Sequence, residues 1–493
     1  MKRLIVIGII GATVAMVNAQ NESDALRYSR TFHGSTARSM GMAGAFGALG
    51  GDFSTLSSNP AGIGLYKGSE FVFTPKIHYN SADAFFNGSR YNDYKYNFGF
   101  SNLGFIYTYD YKRDEGWSTV SYGTGYNRLA DFGENTTIRT EKANGSLLNE
   151  FVLNSNIEGS EERFDPFYEY LAYNTYLVNP DTFQVIAAPG DTSYGVEFWS
   201  HMTDSGKYGQ LLEKTIRRKG GIGEWVFSMG ANYSNKLYLG ATIGWEMVNF
   251  SQSTLHYEND VDDNTMAIGS FSFREKLDAW GNGLNLKVGG IYKPTDALRI
   301  GLAFHTPTIY WLTEEFHTAI EANYDAGFDP SYSEDRSDVA QSDYTVLTPY
   351  KAMGSLAIVI GKRALFDVDY EFVDYTAMRL QGDMDSYTDI NTIIQKSFKQ
   401  THNVRGGFEV RLDPIYLRGG YAYYDSPYKS SLYGNNSDVQ YASGGIGYRE
   451  ANVSFDIAYS RALNSQKHYL FLGTNSKIDY TRNQILATLS FRF

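Results

Sequence analysis

Arg299 lies within, and His305 at the end of, an alternating apolar run in which Leu298, Ile300, Leu302 and Phe304 occupy every second position. In an extended chain residues two apart share a face, so both basic side chains fall opposite that apolar set. A guanidinium and an imidazole on one polar face could meet the carboxylate head group of a ligand. They could equally pair with Asp367, Asp369 or Glu371, which lie on the polar face of another alternating run.

Neither arrangement points to catalysis. A lipid-cleaving site needs an organised Ser/His pair, and nothing links His305 to the nearest polar-face serine of the C-terminal region, Ser460. The eight histidines include no His-x-x-x-His pair, and with no cysteine there is no thiolate nucleophile, disulfide or Cys-ligated metal. The acidic run Glu258-Asn259-Asp260-Val261-Asp262-Asp263-Asn264 lacks the spacing and closing glutamate of an EF-hand and reads as a solvated loop. We therefore predict no catalytic residue, no metal and no cofactor. With a net charge of −12 no basic surface is evident in the sequence to pair with phosphates, which argues against a nucleic-acid partner.

The elements that position these side chains are strands. In the last segment Ile485, Ala487, Leu489, Phe491 and Phe493 share one face, while Thr488, Ser490 and Arg492 share the other. Val453, Phe455, Ile457 and Tyr459 oppose Ser454, Asp456 and Ser460 in the same way, and Phe366, Val368, Tyr370 and Phe372 oppose the three acids at 367, 369 and 371. An apolar exterior with a polar lumen is the pattern of a membrane barrel. It also gives a use to 40 tyrosines in a chain with no apolar run long enough for a spanning helix.

About fourteen strands are expected, near 69–79, 94–111, 116–128, 223–235, 236–258, 280–294, 296–321, 342–361, 363–380, 395–411, 413–425, 438–449, 451–466 and 477–493. Tight turns at Ser234-Asn235, Pro294-Thr295-Asp296, Gly361-Lys362-Arg363, Leu412-Asp413-Pro414 and Arg449-Glu450 alternate with longer polar loops. Short periplasmic turns and long outer loops have this alternation, and an even count returns both ends to the periplasm. The fold class is thus all-β, a transmembrane antiparallel barrel. A propeller is set aside because no fixed internal period occurs.

Three regions fall outside the plain barrel. Lys2 and Arg3, the apolar run Leu4–Val17 and the small residues of Val17-Asn18-Ala19 read as a signal peptide over 1–19, with the mature chain from Gln20. Residues 129–222 are too long for a simple loop and read as an extracellular insertion with one or two short helices. Residues 20–68 do not alternate: Ala37-Arg38-Ser39-Met40-Gly41-Met42-Ala43-Gly44-Ala45 and Ser58-Asn59-Pro60-Ala61-Gly62 are rich in small residues. Close packing inside a barrel wall would need such side chains. The glycines lack the preceding strand of a dinucleotide fold and the Gly-Lys-Ser/Thr of a phosphate loop.

The segment 34–64, with its Asn59-Pro60-Ala61, resembles the N-terminal hatch of the FadL/TodX family of outer-membrane transport proteins. Similarity continues in Asn285–Thr306 with Tyr292-Lys293-Pro294, in Tyr350–Tyr375, and in Gly419–Pro427 with Asp425-Ser426-Pro427. The resemblance implies a fourteen-stranded barrel over 69–493 with a hatch in its lumen. It also implies passive uptake of a hydrophobic small molecule, such as a long-chain fatty acid or aromatic hydrocarbon, by a monomer lying in the outer-membrane lipid of a Gram-negative cell. Asn59, Pro60, Ala61 and Gly62 match the hatch motif, with either a structural or a gating role. The family's kinked third strand, which leaves a lateral opening, would correspond to Gly123 and Gly125, since glycine weakens a strand ladder; ordinary barrel curvature is the alternative. Two other functions fit a plugged or open barrel: docking in a type IX-like secretion system, and general diffusion through a porin.

Overall fold

The computed structural model describes residues 21–493 apart from 33, 114, 186–192, 204–209, 261–266, 383–386 and 430–436. The expected signal peptide over 1–19 therefore lies outside the described residues, as does 261–264 of the acidic run.

The wall begins with β1 (Glu70–Phe86), β2 (Ser89–Asp110), β3 (Trp117–Asp131) and β4 (Glu134–Ala143). A short hairpin, β5 (Asn179–Val185) and β6 (Ser193–Trp199), stands apart from it. The wall resumes with β7 (Gln210–Tyr233), β8 (Leu237–Asn259), β9 (Ile268–Tyr292), β10 (Leu298–His305) and β11 (Ile309–Tyr324). Next come β12 (Tyr332–Arg336), β13 (Ala340–Leu347), β14 (Lys351–Ile360), β15 (Ala364–Asp374) and β16 (Arg379–Gln381). The last five are β17 (Gln400–Leu412), β18 (Ile415–Tyr424), β19 (Val439–Glu450), β20 (Val453–Phe471) and β21 (Thr474–Arg492).

Several of these are broken halves of one stave: β3 and β4 both lie along β7, β10 and β11 both lie along β9, and β13 with β14 run between the β10–β11 and β15–β16 staves. Counted as staves, they make a closed antiparallel barrel of fourteen. Closure is between β1 and β21, in register from Glu70↔Arg492 to Phe85↔Lys477.

Alternation places the side chains as their chemistry demands. On β15, Phe366, Val368 and Tyr370 are 47%, 51% and 43% exposed, while Asp367, Asp369 and Glu371 are at most 2% exposed. The outward set would face lipid and the acids face the lumen. Ser234 and Asn235 both have positive φ, at 53° and 54°, so the β7–β8 link is the tight turn that matches strand twist.

The strands are longer than the sequence suggested. The expected outer loops near 80–93 and 467–476 are instead strand: β1 and β2 meet at Asn87-Gly88, and β20 and β21 at Leu472-Gly473. β9 begins at Ile268 rather than near 280. A stave needs only about ten residues to cross the hydrocarbon. With 23 to 25 residues, β7, β8 and β9 project well above it. Conversely, 388–397 is helix α5 (Thr388–Ser397, the fifth helix in chain order) rather than the start of a strand, and the stave resumes at Gln400.

The insertion is shorter than 129–222, because β3, β4 and β7 take both of its ends into the wall. The remaining excursion, near 144–209, carries α3 (Leu148–Glu158), α4 (Glu169–Asn174) and the β5–β6 hairpin. Leu148, Phe151, Leu171, Leu177 and Phe198 pack on Ala82, Phe271, Ile320 and Ile478 from the projecting staves. These apolar residues of the insertion are thus the underside of a cap on the outer mouth.

Candidate functional site

Residues 21–69 run through the lumen. Helix α1 (Glu22–Ser29) is started by a capping box, in which Asn21 accepts from the backbone and Asp24 accepts from the Asn21 N–H. It buries Ala25, Leu26 and Tyr28 among Val248, Phe250, Tyr310 and Tyr344 of the wall. That burial lifts the Tyr28 phenol above its ordinary range. Thr36 caps α2 (Ala37–Gly41), and the Ala37 N–H donates to Thr488 Oγ1 at 2.7 Å.

The acids of β15 hold the middle of this segment. Asp369 accepts from the Phe46 and Gly47 N–H groups, each at 3.1 Å, and Asp367 accepts from Ala48 N–H at 3.4 Å. A Cβ on Gly47 would lie 2.0 Å from Ser355 Oγ, so only glycine lets the backbone come this close. Below, Arg38 donates to Glu409 at 3.1 Å, and Glu409 also accepts from Arg418 at 2.8 Å and Arg411 at 2.9 Å. Burial opposes the Arg38 charge, but Glu409 and Asp52 outweigh it and hold the guanidinium above its ordinary value.

The Asn59-Pro60-Ala61-Gly62 motif folds as a turn that stitches the hatch together. Asn59 accepts from Ala61 N–H at 3.2 Å and donates to the Gly47 carbonyl at 2.7 Å, while Gly62 N–H returns to the Asn59 carbonyl at 2.9 Å. Pro60 takes the first position of the following 3-10 turn, where no N–H is needed. A Cβ on Gly289 of the wall would fall 1.9 Å from Asn59 Oδ1.

Gly123 and Gly125 do not open the wall. The β2–β3 ladder runs without interruption from Asp110↔Thr119 through Gly104↔Gly125 to Asn102↔Asn127, and β7 pairs with both glycines on the other side. They are instead a bed for the hatch. A Cβ on Gly123 would be 2.8 Å from Ile63 and Leu56, and one on Gly125 would be 2.4 Å from the Leu103 carbonyl and 2.7 Å from Phe53. Close approach, not kinking, requires glycine here.

The β2–β3 ladder ends just beyond these glycines, at Asn102↔Asn127. Beyond Asn127 the third stave bulges between Arg128 and Ala130, continues as β4, and stays paired with β7. The outer half of β2, Ser89–Ser101, pairs with β1 alone. Side chains replace the ladder across this seam. Asn80 and Asn97 donate to the Gly133 carbonyl at 2.5 and 3.2 Å, Thr137 donates to Asp93 at 2.6 Å, and Lys95 donates to the Arg218 carbonyl at 2.6 Å.

Solved structures share this architecture. A FadL homologue from Pseudomonas aeruginosa matches 94% of this chain and 99% of its own, at 12% identity and a TM-score of 0.54. The toluene transporter TodX from P. putida matches 94% and 99%, at 12% identity and a TM-score of 0.51. The fold is that of the FadL/TodX barrels. No family model matches the sequence, and none of the curated proteins does.

Within the barrel, space remains between the hatch and the wall. A cavity of about 510 Å³ is lined in part by Leu26, Arg30, Phe32, Phe132, Phe250 and Arg482. A smaller one of about 170 Å³ shares Arg30, Phe32 and Arg482 and adds Tyr441 and Ala462. A third, of about 40 Å³, reaches from Phe32 to Ser101 and Arg128–Asp131, the point where β2 and β3 part.

Arg299 and His305 each meet a carbonyl of the hatch. His305 Nε2 meets the Ser58 carbonyl at 2.6 Å, and Arg299 donates to the Leu49 carbonyl at 2.5 Å, near the periplasmic end. Neither lines the three cavities above the hatch. The pairing with acids weighed from sequence does not form either: Asp369 and Glu371 pair with Arg405, at 3.4 and 3.5 Å. The hatch contacts of Asp367 and Asp369 were missed, although three acids on one inward face signal that cationic or N–H partners must meet them.

Proposed function

We propose that this barrel takes up hydrophobic compounds across the outer membrane, holding them in the cavity between hatch and wall and releasing them through the seam between β2 and β3–β4. The observation that carries the reading is the meeting of cavity and seam at Ser101 and Arg128–Asp131. Phe32, Phe250 and Tyr441 offer apolar surface to a ligand body, and Arg30 and Arg482 suit a polar or anionic end. A seam joined by side chains opens without breaking a backbone ladder, so its barrier is the loss of a few hydrogen bonds, about 1 kcal/mol net for each. The occupied lumen counts against a general diffusion porin, which needs an open channel.

The test is extraction of the purified full-length barrel and identification of bound lipophiles by mass spectrometry, beside an Ala462→Trp variant that fills the cavity next to Phe32. Enrichment of a hydrophobic compound in the parent and its loss in the variant supports the reading. Detergent and phospholipid alone in both would overturn it.

A further inference from the structure

At the periplasmic end, beneath the hatch, lies a separate cavity of about 300 Å³ with an unusual lining. Six cationic side chains face it: Arg38 and Lys67 from the hatch, and Arg299, Arg411, Arg449 and Arg492 from the ends of β10, β17, β19 and β21. Among the described residues, no aspartate or glutamate lines it. This concentration of positive charge occurs in a chain whose net charge is −12.

The nearby acids are already engaged. Glu409 is shared by Arg38, Arg411 and Arg418, and Glu70 pairs with Arg492 at 2.6 Å. Arg299 and Arg449 form no ion pair among the described residues. Arg299 is held by the Leu49 carbonyl alone, and Arg449 lies 4.6 Å from the Tyr416 ring centre. The Nε atoms of both are buried with no hydrogen-bond partner among the described residues. Buried donors of this kind call for an acceptor, and clustered like charges call for a counter-charge.

We infer that this pocket binds a phosphate-type dianion, either free phosphate or the phosphomonoester head group of a lipid. A monocarboxylate offers two oxygens and one charge, whereas a phosphate dianion offers three oxygens and more charge to several planar guanidinium forks at once. Because Arg38 and Lys67 belong to the hatch and the other four to the wall, the bound anion bridges the two and stabilises the seated hatch. The inference is independent of the uptake reading, since the pocket shares no lining residue with the upper cavities.

The experiment compares the purified full-length protein with an Arg299→Gln/Arg449→Gln variant, by titration calorimetry with inorganic phosphate at constant ionic strength set by chloride. The parent should bind phosphate and melt at a higher temperature in its presence, and the double variant should bind at least tenfold more weakly. The gain in melting temperature with phosphate should be lost in the variant, whatever its stability without phosphate. If it does not fold, Lys67→Met at the exposed rim provides the second test, with binding weakened about threefold. Native mass spectrometry from nanodiscs separates the sources: retention of phosphatidate over phosphatidylcholine assigns a lipid head group, and phosphate binding without such retention assigns the free ion. Absence of both, or equal phosphate binding by parent and variants, would overturn the inference.

Discussion

The seam can be locked with one engineered crosslink. A Cβ built on Gly133 lies 2.9 Å from Asn97 Cγ. In a disulfide each Cβ sits about 3.0 Å from the opposite sulfur, and a cysteine sulfur takes nearly the place of an asparagine Cγ. Asn97→Cys with Gly133→Cys therefore meets the geometry with little backbone movement, and the absence of any native cysteine removes competing pairings. The bridge closes a loop of roughly 37 residues, which constrains the unfolded chain by roughly 4 kcal/mol in the chain-entropy model. Asn80 keeps its bond to the Gly133 carbonyl, so the rest of the latch stays in place. The assay is uptake of a labelled hydrophobic compound by cells carrying the barrel in their outer membrane, with crosslinking followed by gel mobility. Oxidised cells should fall to background uptake and recover with reductant, while the purified oxidised protein still retains ligand. Full crosslinking with unchanged uptake would refute the seam as the route.

Asp369→Asn should weaken the seating of the hatch by about 2–4 kcal/mol, since it removes the charge that meets two N–H groups and half of the Arg405 pairing; faster proteolysis of residues 21–69 is the readout. Gly125→Val should prevent assembly, because its Cβ would collide with the Leu103 carbonyl, whereas Gly99→Ala, with open space around it, should behave as the parent; heat-modifiable gel mobility distinguishes them. Burial lifts the cap carboxyls Glu150, Asp165 and Glu169 above ordinary values, so the folded cap binds protons more readily than the unfolded one. Its stability should then be greatest below the ordinary carboxylate range and fall as pH rises through the raised values. Limited proteolysis of the cap should accordingly be slower at about pH 5 than at about pH 7.5, with a smaller difference in Glu169→Gln.

The wall was legible because each strand declares its own two faces. Phe366, Val368 and Tyr370 against Asp367, Asp369 and Glu371 need no partner to show which side is lipid. Asn87-Gly88, a strong tight-turn pair, could have revealed that β1 and β2 continue as a long hairpin. The remainder depends on what lies opposite. Gly123 and Gly125 look the same in sequence whether they kink a strand or admit Phe53 and Ile63, and only the docked hatch decides between them. Arg299 and His305 shared a face as expected, yet the carbonyls of Leu49 and Ser58 that occupy them are some 250 residues away in the chain.

The same remoteness bears on how the molecule is made. The bonds from Ala37 to Thr488 and from Ala43 to Ser443 span 451 and 400 residues. The hatch thus finds its lodging only when the last strands exist. Until β1 meets β21, the small-residue segment has no mould to be cast in, and its few apolar side chains form no core of their own. A block in barrel closure would leave that end of the chain as an extended thread open to periplasmic proteases, so its protection serves as a clock for completion of the whole barrel.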